Sequence, residues 1–179
     1  QISLIELEAI FSEERLCGAK YSIDVWEDFG WVANPETTSN AFSSIRRHIW
    51  MDGTGTRGFF KSKVLCGGEF KEWSIESART TEEIMQEVAL SNGAIGFATL
   101  GLQEFGLKDL YIARERLHPG YKPTTENVIS RQYPLSGYLY IYIDKPPTSD
   151  MPLLFSEFFK FLFSRQGQQI IVNHHAIPL

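Results

Sequence analysis

Cysteine is scarce in this chain. Only Cys17 and Cys66 occur among 179 residues, with no CxxC pair and no Cys/His spacing of the zinc-site kind. Two buried thiols are the preferred reading, because sequence alone does not put two side chains within bonding reach; a disulfide formed in an oxidising compartment is the alternative. No run of 18 apolar residues exists, so no transmembrane helix is expected. Basic charge is also short. The 17 Lys and Arg residues are outnumbered by 22 Asp and Glu, for a net charge of −5, and Arg46-Arg47 is the one adjacent basic pair. Without a basic stripe to neutralise phosphates, nucleic acid is not expected as a partner. The chain opens at Gln1 with no signal peptide, which reads as a processed or trimmed sequence.

Several chemistries lack their residues. No G-x-S-x-G elbow is present, which argues against a Ser/His/Asp hydrolase. Of His48, His118, His174 and His175 only the last two are close, and neighbours on a strand point to opposite faces. No metal and no cofactor are therefore expected. Glu13-Glu14 and Glu82-Glu83 read as solvated helix faces rather than paired acids. With neither nucleophile nor acid pair in place, the chain reads as a binding protein and not an enzyme.

What is present alternates between two periods. Ser3 and Glu6 form a capping-box pattern ahead of a helix carrying Leu4, Ile5, Leu7, Ile10 and Phe11 on one face. Tyr21, Ile23 and Val25 alternate as a short strand, and Asn34-Pro35 with residues 37–40 reads as loop. Residues 45–51 read as a strand, 55–65 as a helix stopped at Gly67-Gly68, and Thr80-Thr81-Glu82-Glu83 as the start of another helix. Residues 94–100, 107–113 and 138–143 read as strands, the last closed by Pro146-Pro147. A short helix starts at Lys122-Pro123-Thr124-Thr125-Glu126 and ends before Tyr133-Pro134, and two more cover 153–163 and 166–172. Strands alternating with helices place the chain in the α/β class.

The chemistry gathers between the strand at 45–51 and the helix after it. Asp52-Gly53-Thr54-Gly55-Thr56-Arg57 offers glycines that turn the backbone and expose N–H groups, two hydroxyls, and the positive end of a helix. That combination suits a tetrahedral anion or a carboxylate. It is not a nucleotide P-loop, since the G-x-x-x-x-G-K-[ST] order is missing. Local pattern also leaves open an ordinary Gly-rich turn with Thr as N-cap.

Five stretches, in order, resemble the phosphate-type periplasmic solute-binding proteins of ABC transporters, the PstS-like family. They are SLIELEAIFS from Ser3, DGTGTRGFF from Asp52, NGAIGFATL within 88–100, PTTENVISRQYPLSGYLYIY from Pro123, and the closing helices with Ala176-Ile177-Pro178-Leu179. The resemblance implies a type II periplasmic-binding fold of two lobes, each a central mixed sheet flanked by helices, with the anion in the cleft. Residues 1–132 match lobe two, which carries the anion loop. Residues 133–179 match the returning C-terminal part of lobe one, with Tyr133-Pro134-Leu135 near the hinge.

The same resemblance implies a periplasmic or extracellular protein that binds phosphate or a related small anion for an ABC transporter permease or a membrane sensor. Thr54, Gly55 and Thr56 carry over as anion ligands, and Arg57 adds charge beside them. Two departures stand against the pattern. The family's opening segment has no counterpart, so lobe one is incomplete, and the apolar face of Phe155, Phe158, Phe159, Leu162 and Phe163 either packs on that lobe's sheet or supports self-association. Trp50 occupies the position of a family Arg four residues before the loop's first hydroxyl, as a plug or as a pocket wall for a flatter ligand. A module that keeps the fold but binds no phosphate is the alternative function.

Overall fold

The first helix begins where the capping pattern predicts. Ser3 accepts from the Glu6 N–H while Glu6 accepts from the Ser3 N–H at 2.8 Å, and α1 runs Leu4–Phe11. The computed structural model describes residues 1–30, 44–100, 106–144, 148–174 and 176–178. The expectations placed on Asn34-Pro35, on 37–40, on Pro146-Pro147, on His175 and on Leu179 lie outside the described residues.

Among the described residues, two small parallel sheets follow. β1 (Ile2–Ser3) pairs with β5 (Ile112–Ala113), Ile2 opposite Ile112. The other sheet has the order β3–β2–β4, from β3 (Ile75–Ala78), β2 (Arg46–Trp50) and β4 (Ala94–Ile95). Helix α2 (Gly55–Val64) carries the chain from β2 to β3, and α3 (Thr81–Leu90) from β3 to β4. This is the α/β class expected, because parallel neighbours need such crossovers. A central parallel strand is covered on both faces. Accordingly Arg47, His48, Ile49 and Trp50 are all buried.

Strand alternation divides the core. Ile45 and Ile49 join a large cluster with Leu7, Ile10, Phe11, Phe60, Val64 and Phe70, while Trp50 packs in a second cluster with Ala78 and Ile84. Phe11 meets Phe60 edge-on at 5.1 Å, and Phe60 stacks on Phe97 at 3.9 Å between centroids.

The last four carbonyls of α1 are all paired, two of them by buried cations. Ser12 N–H donates to Glu8 O, Ile23 N–H and the Lys71 ammonium to Ala9 O, the Arg47 guanidinium to Ile10 O, and Lys71 N–H to Phe11 O. Arg47 also donates to Ile23 O at 2.8 Å and pairs with Asp24, which Lys71 contacts at 3.0 Å. Positive groups are favoured at a helix C-terminus, and buried carbonyls require partners. Partial burial pushes the Asp24 carboxyl up, but the Ser22 hydroxyl, Lys71 and Arg47 outweigh it and hold it below its ordinary value. Burial pushes the Arg47 and Lys71 cations toward losing their protons, against the pull of Asp24.

Several expectations are corrected. Cys17 and Cys66 are not free thiols. They form a disulfide with Cα atoms 5.4 Å apart, brought together because the loop after α1 folds back on the end of α2. Glu8, fully buried, fixes that loop by accepting from the Cys17 and Ala19 N–H groups. Residues 21–25 form no strand; Ile23 instead caps α1, and Val25 makes a single antiparallel bridge to Ser44. The strands expected at 94–100 and 107–113 shorten to β4 and β5, and β3 was hidden by its polar Glu76.

Contacts divide the chain into two units, Gln1–Leu135 and Ser136–Leu179. The first also holds α4 (Thr125–Ile129). The second holds α5 (Leu153–Leu162) packed with α6 (Arg165–Asn173). Residues 138–143 form no ladder there, although their composition favours a strand. Propensity describes fit to a sheet surface, and a strand still needs a neighbour. Leu139 and Tyr142 are 95% and 90% exposed.

The bond between Cys17 and Cys66 links residues 49 apart in sequence. The double Cys17→Ser/Cys66→Ser chain is expected to lose about 2–4 kcal/mol of stability, read from urea midpoints. Acid should weaken the fold in two steps. Burial lowers the His48 pKa from 6.5, so its neutral form stabilises the fold above that value and the contribution fades below it. The Asp24 contribution is present above its unfolded value of 3.8 and is lost as pH falls through the lower folded value. Urea midpoints from pH 8 to 3 should fall below pH 6.5 and again below 4, with the second step smaller in Asp24→Asn.

Candidate functional site

The loop leaving β2 is built from a reversal and an uncapped helix. Met51 N–H donates to Ala78 O at 2.8 Å, keeping the chain beside β3 for one more residue. Gly53 then adopts φ 80°, a left-handed turn that a side chain would strain. Thr54 is the N-cap of α2, but its hydroxyl turns back to donate to Met51 O at 2.9 Å and makes no cap bond to the first turn. Gly58 N–H makes the first helical bond, to Thr54 O. The N–H groups of Gly55, Thr56 and Arg57 are orphan donors by helix geometry, and no described side chain takes them.

The other helices that begin at Ser or Thr differ. Ser3, Thr80, Thr124 and Ser164 each accept from the backbone of the turn they cap. At α2 the hydroxyl is diverted, so the positive end of the helix keeps its donors available. The loop borders an open concavity of about 480 Å³ lined by Met51, Asp52, Gly53, Thr54, Glu76 and Arg79.

Arg57, placed on the first turn, is committed to protein acceptors. It donates to Trp50 O at 2.8 Å and to Glu76 at 2.7 Å, lies 3.6 Å from Asp52, and rests 5.0 Å over the Phe70 ring. It thereby braces the loop and neutralises the carboxylates at its mouth. Trp50 faces inward. Its side chain is 5% exposed, and its indole N–H donates to Phe97 O at 2.6 Å. Thr54, Gly55, Thr56 and Arg57 are thus together at the helix start, whereas the Trp50 ring sits in the buried cluster behind β2. Neither residue of the basic pair serves the loop, since Arg46 opens β2 at its far end and Arg47 caps α1. Glu76 and Arg79, which sequence reasoning passed over, come to the concavity because β3 ends at Ala78 beside β2. The signal available was a guanidinium directly ahead of the Thr80 helix start.

No group of three potential metal ligands occurs among the described residues. No family model matches the chain. Individual proteins do. The phosphate-binding protein PstS of Pseudomonas aeruginosa is 29% identical over 182 positions, covering 99% of this chain and 53% of that protein. Phosphate-binding protein PstS 2 of Streptococcus pneumoniae is 26% identical over 153 positions, covering 82% of this chain and 48% of that one. The chain is thus similar to PstS proteins along nearly its whole length. It spans about half the length of the curated relatives it matches.

Solved structures agree on the fold. A Clostridium perfringens protein crystallised with bound phosphate superposes with a TM-score of 0.69 at 20% identity, over 99% of this chain and 62% of that one. An ABC-type phosphate transport receptor from Vibrio cholerae gives 0.67 at 18% identity, over 99% and 63%. PstS of Borrelia burgdorferi gives 0.66 at 16%, over 98% and 62%.

Replacing Arg57 with Ala removes the brace from Trp50 O, Glu76 and Asp52. A loss of about 1–2 kcal/mol is expected in urea denaturation, since the bonds are charge-assisted but Glu76 is half in water. An unchanged midpoint would show that the loop holds without it.

Proposed function

We propose that this chain is part of an extracytoplasmic receptor that holds a tetrahedral oxyanion, phosphate foremost, at the start of α2. The observation that carries the reading is the uncapped helix N-terminus. Thr54 spends its hydroxyl proton on Met51 O, leaving the N–H groups of Gly55, Thr56 and Arg57 and the Thr56 hydroxyl for an anion. Backbone donors and the helix dipole favour such a ligand. The α2 start also follows the carboxyl end of a central parallel strand, where open α/β sheets bind their ligands. The phosphate-binding names of the PstS relatives support this choice of anion.

The wider reading is a two-lobed type II periplasmic-binding architecture. Residues 1–132 would belong to lobe two and 133–179 to the returning part of lobe one. The partner is an ABC transporter permease or a membrane sensor, and the role is binding rather than catalysis. The Cys17–Cys66 disulfide supports a location outside the cytoplasm, because such bonds persist in oxidising compartments.

A second reading draws on Trp50. Its indole is consumed inside the core, and Arg57 is consumed by protein carboxylates, so neither supplies a free charge to the anion. On that reading the chain keeps the fold and has lost the ligand. Titration of the ¹⁵N-labelled chain with phosphate, sulfate and tungstate separates the two. Saturable shifts of the Gly55, Thr56 and Arg57 amides are expected for the receptor. A well-dispersed spectrum that no oxyanion perturbs would sink it.

A further inference from the structure

The concavity at the α2 start contains one guanidinium that the fold does not use. Arg57 is 13% exposed and bound to Trp50 O, Glu76 and Asp52. Arg79, by contrast, follows directly on β3 and lines the same concavity as Asp52, Gly53 and Thr54. Its backbone N–H goes to Glu83, in the cap of α3, at 2.7 Å. Its side chain makes one described bond, from Nε to the Met51 thioether at 3.1 Å. A thioether is a weak acceptor. The two terminal nitrogens carry no ion pair among the described residues.

We propose that Arg79 supplies the charged contact to an oxyanion held by the α2 N-terminus. The inference rests on the receptor reading above and names a residue that it lacks. Three features of the structure support it. β2 and β3 are adjacent and parallel, so the residues that follow them, Asp52–Thr54 and Arg79, emerge at the same edge of the sheet. Met51 positions the guanidinium through Nε, which leaves the planar fork of terminal N–H groups for a bidentate contact with an oxyanion. Asp52 and Glu76, the carboxylates that would repel an anion there, are both engaged by Arg57. The loop thus divides the work. One arginine neutralises the site's own acids, and the other meets the ligand.

The backbone donors at α2 give geometry without a full charge, and Trp50 cannot give one. A cation arriving from the next strand supplies it without disturbing the buried indole. Because Arg79 is exposed and makes no buried bond with its side chain, its replacement should leave the fold intact.

The test is calorimetric titration of the 179-residue chain with inorganic phosphate at several salt concentrations. Arg79→Gln should raise Kd at least tenfold, flatten the dependence of log K on log salt, and leave the thermal midpoint in place. Arg79→Lys should keep more affinity than the Gln form, since charge survives while the fork is lost. Wild-type Kd and salt slope in Arg79→Gln would overturn the assignment and leave the receptor reading standing. An affinity loss equal in both variants and accompanied by a lowered midpoint would also overturn it, marking a structural role. Absence of saturable phosphate binding in the unaltered chain would overturn the receptor reading and this assignment together.

Discussion

Two buried cations hold the end of one helix, and the first unit is arranged around that contact. Arg47 and Lys71 bring their charges to the last carbonyls of α1, with Ile23 and Asp24 closing the group. The four segments involved lie far apart in the chain. Burying two cations against one half-exposed carboxylate is costly unless nearly every donor is satisfied. Here the satisfaction comes from backbone oxygens that the helix end would otherwise leave unpaired. The cost of the charges and the need of the carbonyls therefore offset one another. The result fixes β2 relative to α1, and with it the direction in which the chain leaves β2.

That direction sets the site. β2 is central and carries buried side chains on both faces, so its useful chemistry can emerge only at its end. There the chain turns at Gly53 and starts a helix whose cap is spent elsewhere. Arg57 ties the turn to Trp50 O and to Glu76 of the neighbouring strand, which couples the loop to the register of β2 and β3. A donor-rich helix start on a braced loop is preorganised, because little of its ordering remains to be done.

Legibility in the sequence followed the range of the interaction. α1, α2 and α3 could be read because their caps and apolar faces lie within a few residues. The Thr54–Arg57 cluster was visible for the same reason. Long-range features were not. The pairing of Cys17 with Cys66 depends on a loop that Glu8 anchors from inside the core, and no local pattern encodes that. Arg47 was read only as half of the one adjacent basic pair, although its position between Ile45 and Ile49 on one strand face marked it as buried. Residues 138–143 carry strong strand composition yet make no ladder, since composition does not supply a neighbouring strand. Arg79 escaped notice because β3 itself did: Glu76 interrupts the apolar pattern that would have announced a strand.

The pairing of β1 with β5 has a kinetic consequence. Ile2 meets Ile112, so the first strand of the chain closes only after most of the first unit exists. Contacts of such separation are slow to form, because loop-closure entropy is lost before they contribute. The β2–α2–β3–α3–β4 region, from Arg46 to Ile95, needs no such wait. During synthesis the Gly53–Arg57 loop and its brace therefore have their local partners in place before the N-terminal strand finds its own. The Gly53–Arg57 loop belongs to the part of the chain with the shortest crossovers, and the closing of Ile2 against Ile112 serves as the late seal on a region already shaped.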